Sequence, residues 1–191
     1  MDNRENIMAV AEDLFYSKGY EATGVQEIVN RAGITKPTLY YYYGSKRGLL
    51  DALLNERTSA LRQRFLDARE EDVRIQDRLH AFAETMYEFF SEEPKFYMLF
   101  MTLFYSARES EAYQVVLPYW KDFYNGVLDI FESSAKQLGN MNGRQAQFSI
   151  SLIGAINHYL LMCGDFGKIG EEKTREELGR VVDQFMYGIF S

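Results

Sequence analysis

The stretch TLYYYYGSK at residues 38–46 sets four phenols side by side, Tyr40 to Tyr43, followed shortly by Lys46. A phenol donates its O–H to a phosphate oxygen and lays its ring along a sugar edge, and an ammonium behind it adds charge. That combination suits the backbone of a nucleic-acid duplex. An aromatic surface used for protein contact remains open on these residues alone. The chain offers little for other chemistry. It has no GxSxG, HExxH, glycine-rich phosphate loop or paired His and carboxylate motif, so no enzyme is expected. His80, His158 and the single Cys163 provide neither a disulfide framework nor zinc-ligand spacing, so no metal or cofactor is expected either.

The local charge agrees with the phenols. The 191 residues carry a net charge of -7, yet residues 26–50 hold Arg31, Lys36, Lys46 and Arg47 against Glu27 alone. Residues 58–191 hold 14 basic and 20 acidic side chains. An acidic total does not exclude nucleic acid, because phosphate responds to a patch within about 10 Å. The chain is 47% hydrophobic, enough for a substantial core. The N-terminal residues lack a secretory pattern, and the apolar run 96–105 is half the length of a membrane span. A soluble cytoplasmic protein without membrane partners is expected.

Helical spacing accounts for nearly the whole chain, so the expected fold is all-α. Ile7, Ala11, Leu14 and Phe15 make one face of a first helix ended by Lys18 and Gly19. Thr23 with Gln26 suggests a capping box for a short second helix, with Val25, Ile28, Val29 and Ala32 as its stripe up to Gly33. Ile34 is an apolar plug. Thr35 is an expected N-cap for a third short helix, with Pro37 in the first turn, where its missing N–H breaks no bond. Two short helices joined by a tight turn form a helix-turn-helix, whose second helix enters the DNA major groove. On that helix Leu39 and Tyr43 point to one side, and Tyr40, Tyr41 and Tyr42 fan around the rest.

The segment LFYSKGYEATGVQEIVNRAGITKPTLYYYYGSKRGLL resembles the DNA-binding domain of the tetracycline-repressor (TetR-like) family of bacterial regulators, over about residues 7–54. The shared pattern is an aromatic-Gly-Tyr helix end, T-x-x-x-I, A-G-[IV]-[ST] and L-Y-x-[HY]-F-x-[SN]-K. Two residues depart from it: Tyr42 stands where His is common and Tyr43 where Phe is common, so the Tyr43 hydroxyl needs a partner at the core edge. Gly24 replaces a usual hydroxyl residue, leaving Thr23 as the expected cap. The resemblance implies that Thr35, Lys36, Pro37 and Thr38 face base edges, with Tyr40, Tyr41, Tyr42 and Lys46 on phosphates. Gln26 is a further DNA candidate, with a capping role as its alternative.

Domain division is expected near residue 46: 1–46 as the helix-turn-helix DNA-binding domain and 47–191 as a helical bundle for effector binding and dimerisation. Leu49, Leu50, Leu53, Leu54, Leu61 and Phe65 predict one long helix over about 46–68, a lever between the two. Further helices are expected up to Pro94, over the all-round apolar run 95–106, over about 112–138 with Pro118 near its start, and over 143–164 and 174–190. Thr174 and Glu177 suggest a capping box for the last one, whose stripe runs to Ile189 and Phe190. The last two helices carry more apolar surface than one core covers, and small residues there permit close backbone approach. The resemblance implies that they pair with those of a second subunit, so Ser149, Ile153, Gly154, Val181, Phe185 and Gly188 are dimer-interface candidates. A two-fold homodimer matches a pseudo-palindromic double-stranded operator.

Fourteen Phe, fourteen Tyr and eight Met are more adaptable aromatic surface than DNA reading needs. Such walls line small-molecule pockets. Met86, Phe89, Phe100, Met101, Phe104, Tyr105, Trp120, Phe123, Tyr124, Asn157, His158 and Met162 are the ligand candidates, each with plain core packing as its alternative. Asn157 and His158 interrupt an apolar helix, and with no fixed charge among these residues a small hydrophobic effector is favoured. A ligand that fits one position of the lever helix would shift DNA affinity. The resemblance implies a repressor released by its effector; a regulator with a packed second domain and no effector is the alternative.

Overall fold

The computed structural model describes residues 2–67, 73–165 and 172–188, without side-chain detail at 65–67 and 165. Among these residues there are nine helices and no strand: α1 Asn3–Lys18, α2 Val25–Ala32, α3 Lys36–Tyr43, α4 Lys46–Asp67, α5 Ile75–Glu92, α6 Pro94–Phe104, α7 Glu111–Ser133, α8 Gln145–Asp165 and α9 Glu172–Tyr187. The expected all-α class holds. Packing divides the chain into two compact units, residues 1–59 with 95–120 and residues 60–94 with 121–191.

In the first unit α1 packs on α2 and α2 on α3. A capping box starts α1: the Asp2 carboxylate accepts the Arg4 N–H and the Glu5 carboxylate accepts the Asp2 N–H. Ile7, Leu14, Phe15, Ile28 and Leu39 close the core with at most 1% exposure, and Leu49, Leu50, Leu53 and Leu54 of α4 join it fully buried. Burying each such side chain is worth roughly 1.5–3 kcal/mol. The run 94–104 is helical and largely buried, with Phe96, Tyr97, Leu99 and Phe100 inside. The Asp13 carboxylate of α1 accepts from Lys95 at 2.8 Å.

In the second unit α5 packs against α8 and α9, and α8 against α9. Gln137 caps α5 from a distance: its Oε1 accepts the Ile75 N–H at 2.8 Å while its Nε2 donates to the Val73 carbonyl at 3.1 Å. Arg78, almost fully buried, donates to the hydroxyls of Ser133 and Ser134. There α7 ends, several residues before the expected 138, and Ser134 begins a turn closed by the Leu138 N–H. Pro118 lies well inside α7 rather than near its start.

The last helix differs from expectation at both ends. Thr174 does not open it: α9 already runs from Glu172, so Thr174 faces the core at 1% exposure, and Glu177 accepts from the Tyr159 hydroxyl at 2.6 Å. Gly188 is not on its face but follows its end, its N–H closing on the Gln184 carbonyl. The stripe residues Ile189 and Phe190 lie outside the described residues, as does the side chain of Phe65.

Candidate nucleic-acid interface

The turn between α2 and α3 depends on Gly33, at φ 68° and ψ 30°, a left-handed conformation that only glycine takes without strain. It lets the Ile34 N–H reach back to the Val29 carbonyl, completing the helix end. Thr35 then stands extended at the N-cap of α3, and Pro37 falls in the first turn. The Thr35 hydroxyl does not cap, however: it shares a 2.9 Å hydrogen bond with the Thr38 hydroxyl. The two threonines fix each other on the exposed end of the helix.

The tyrosines divide as their spacing demands. Leu39 and Tyr43 are buried, whereas Tyr40, Tyr41 and Tyr42 are 46%, 84% and 37% exposed. Tyr41 and Tyr42 meet edge to face at 5.2 Å. The Tyr43 hydroxyl finds its partner in the Arg4 carbonyl, to which it donates at 2.7 Å. Burial pushes that phenol above its usual range. A substitution that would cost an unpaired hydroxyl thus becomes a tie between α3 and α1.

Three sequence expectations need correction here. Thr23 does not cap α2, where Gly24 is the N-cap with no side-chain bond; Thr23 is 1% exposed and its hydroxyl donates to the Gly19 carbonyl at 2.8 Å. Gln26 is no capping partner, since its amide bonds Asn30 at 2.8 Å on the exposed side of α2. Lys46 turns inward. Its ammonium donates to the carbonyls of Tyr20 at 3.0 Å and Thr23 at 3.1 Å and lies 4.1 Å from the centre of the Tyr20 ring. Arg31 also pairs within the domain, with Asp13 at 3.5 Å. Arg31, Lys36 and Arg47 are all exposed, and of these Arg31 is engaged with Asp13. Arg47 belongs to the basic patch of the sequence but not to its DNA-contact candidates, although its place beside Lys46 in GSKRG was the available signal.

The ligand candidates are shared between the two units. Phe100, Phe104 and Trp120 belong to the first unit, where Trp120 stacks on Phe100 at 4.9 Å and 5° and meets Phe104 at 4.3 Å. Met101 is buried beside them in α6, but Tyr105, edge-on to Phe104 at 5.6 Å, is 75% exposed beyond the helix end. In the second unit Met86, Phe89, Phe123 and Asn157 are buried and Tyr124 is partly so. His158 and Met162 are exposed on α8 and face away from that core. Helical spacing gave no means of choosing between two apolar faces. Two hollows of about 270 Å³ in this unit involve other residues: one His80, Glu84, Arg175 and Gly179, the other Leu79, Phe131, Phe148 and Phe185.

The dimer candidates also separate. Ser149 is fully buried and bonds the Gln145 carbonyl, so it cannot meet a second chain. Phe185 packs inward against Phe131 and Phe148, and Val181 is half-buried. Ile153 is half-buried and Gly154 exposed, on the side of α8 that carries Ile150 at 61% exposure and Met162 at 40%. Residues 145–164 are long and apolar enough to cross a membrane, and only about a third of the apolar stretch is buried within the chain. The helix nevertheless packs in the bundle through Leu152, Ile156 and Leu160, all fully buried.

Residues 7–53 match the model of bacterial regulatory proteins, tetR family. Over 114 residues the chain is 30% identical to the HTH-type transcriptional activator FasR of Mycolicibacterium smegmatis, a match covering 60% of this chain and 52% of that protein. The chain thus spans about half the length of that curated relative. Among solved structures, the putative fatty acid metabolism regulator of Clostridium perfringens superposes with a TM-score of 0.83 at 19% identity, over 96% of this chain and 98% of that one. The transcriptional regulator FadR of Bacillus subtilis, solved in complex with stearoyl-CoA, gives 0.80 at 16% identity, over 97% and 98%. At such identities these two structures speak to the fold, whereas the helix-turn-helix match speaks to descent. On that match, residues 7–53, with the tyrosine-bearing α3 they contain, are a helix-turn-helix segment similar to the bacterial regulatory proteins of the tetR family.

Proposed function

We propose that the protein is a DNA-binding transcriptional regulator that works as a homodimer on a pseudo-palindromic operator, and that it is a repressor released by a small hydrophobic effector. One observation carries the DNA-reading part: α3 holds its inner side fixed through Leu39 and Tyr43 while presenting Lys36 and three phenols outward. Thr35, Lys36, Pro37 and Thr38 read base edges in this account, and Tyr40, Tyr41, Tyr42 and Arg47 hold phosphates. Lys46 supports the reading head from inside. Residues 1–46 form the reader, and 47–191 carry effector binding and dimerisation. A two-fold pair sets half-sites about 34 Å apart on undistorted DNA.

Dimerisation is assigned to the outer face of α8, with Ile150, Ile153, Gly154, His158 and Met162, because this helix leaves apolar surface that its own chain does not cover. A protein of this kind works in the cytoplasm and is not an enzyme. The effector is assigned to the second unit around Met86, Phe89, Phe123 and Asn157. FadR of Bacillus subtilis has been solved with stearoyl-CoA, which makes long acyl thioesters the first compounds to try. The tight burial of Met86 and Phe89, at 3% and 6% exposure, favours a second reading, a regulator whose packed bundle takes no effector.

The test is release. A duplex selected by the protein is titrated with acyl thioesters of graded length and with neutral aromatic compounds, while Trp120, the single tryptophan, reports binding by fluorescence. Loss of DNA binding together with a change in Trp120 emission supports the effector-released repressor. Emission and DNA binding that ignore every compound support the packed alternative.

A further inference from the structure

We propose that Glu111, the first residue of α7, is a positioning residue for DNA reading: through Tyr20 it holds the α1–α2 turn and the start of α4, and with them the orientation of α3. This rests on the DNA-reading role proposed above and extends it to a residue far from the recognition helix in sequence. All the groups involved lie in the first compact unit.

Tyr20 is 3% exposed and sits in the turn between α1 and α2. Three ties converge on it. Its hydroxyl donates to the Glu111 carboxylate. Its carbonyl accepts from the Lys46 ammonium at 3.0 Å, and its ring takes the same ammonium at 4.1 Å. Lys46 in turn holds the Thr23 carbonyl at 3.1 Å, and the Thr23 hydroxyl holds the Gly19 carbonyl at 2.8 Å. One side chain thereby joins the end of α1, the start of α4 and the start of α7.

The chemistry favours a lasting tie. Glu111 lies in the first turn of α7, where the unpaired N–H groups favour a carboxylate. Burial, reinforced by Glu111, pushes the Tyr20 phenol far above its usual range, so it stays a donor throughout neutral pH. A second grip follows along the same helix: the Tyr119 hydroxyl donates to the Asp51 carboxylate of α4 at 2.9 Å, and lies 3.0 Å from the Asp51 carbonyl. Tyr20 and Asp51 flank the attachment of α4 to the reading head. A shift at the start of α7 is therefore passed to α2 and α3 through polar contacts of fixed direction rather than through slack loop.

The experiment compares wild type with Tyr20→Phe, Glu111→Gln and the double variant. Tyr20→Phe keeps the ring against Lys46 and removes only the hydroxyl. Two quantities are read: affinity for a duplex selected by the wild type, set against random duplex, and hydrogen exchange over residues 25–43, set against α5 and α9. Each single variant is expected to weaken the selected duplex by about 3- to 30-fold, and the double variant by about the same factor, because the two groups share one bond. Exchange rises over residues 25–43 alone. Wild-type affinity and exchange in both single variants overturns the proposal, as do losses that simply add in the double variant. If the wild type selects no duplex, DNA reading fails while exchange still decides: faster exchange over residues 25–43 in both single variants sustains the positioning role, and unchanged exchange overturns it.

Discussion

Gly48 of α4 lies against the carbonyl group of Tyr43, so that a Cβ at this position would overlap the oxygen and stand 3.3 Å from the carbonyl carbon. The last turn of the recognition helix and the first turn of α4 can approach this closely only without a side chain between them. The Ser45 hydroxyl, accepting the Gly48 N–H at 2.9 Å, completes the junction.

Gly48→Ala is therefore expected to cost about 1–3 kcal/mol as the junction spreads. The melting temperature should drop by several degrees, and operator binding should weaken because the end of α3 moves. A variant that melts like wild type would show that the junction has slack.

Lys46→Ala removes two charge-assisted hydrogen bonds to backbone carbonyls. A stability loss of roughly 1–3 kcal/mol is expected, since the ammonium is only partly buried. Its salt dependence of DNA binding should change by less than one unit of slope, whereas Lys36→Ala or Arg47→Ala should leave stability within about 0.5 kcal/mol. Denaturant melts and affinities at graded salt distinguish the two kinds of cation. A full unit lost from the slope on removing Lys46 would return it to the phosphates.

Tyr41, the most exposed of the four phenols, gives the cleanest test of the fan. Tyr41→Phe should leave the melting temperature unchanged and weaken selected and random duplexes alike, by about 3- to 10-fold for one lost phosphate bond. An effect on one duplex only would make it a base reader.

Ile150→Glu places a charge on the exposed face of α8 without entering the core. The folded chain should sediment as a monomer and bind a half-site and a full operator with similar affinity. A dimer that survives this change would move the interface elsewhere.

The reading head was largely legible in the sequence because its signals are local. Gly33, Pro37 and the spacing of Leu39 with Tyr43 act within a turn of where they stand, and each does what its type dictates. The misplaced residues are those whose side chains have a competing partner that spacing along a helix does not reveal. Thr23 resembles a cap, yet the Gly19 carbonyl four residues before it claims its hydroxyl. Lys46 resembles a phosphate ligand, yet two carbonyls from the α1–α2 turn lie within its reach. On α8, apolar residues occur on more than one face, so spacing could not tell buried Ser149 from exposed Ile150, nor buried Asn157 from exposed His158. The role of Tyr20 is invisible in local sequence, because Glu111, its partner, lies 91 residues along the chain.

Alkaline pH should unfold the protein through its buried phenols. Tyr97 is 1% exposed, and burial pushes both it and Tyr20 far above the usual tyrosine value. A phenol whose folded pKa is raised contributes its full stability below the unfolded value, near 10, and loses it as pH rises further, because the unfolded chain releases the proton first. Urea midpoints should stay level from neutral pH to about 9 and decline above about 10. A midpoint independent of pH through that range would mean that these phenols ionise while folded.

The account stands most directly on whether this protein selects a two-fold sequence from DNA. Folded protein is offered a pool of random duplexes, the bound fraction is enriched and sequenced, and the winner is titrated beside random duplex at fixed salt. The expected result is a pseudo-palindrome with half-sites about one helical turn apart, bound at least about 1,000-fold more tightly than random duplex and losing that preference with Lys36→Ala. Folded protein that enriches no sequence, or that binds its winner as readily as random duplex, would contradict it.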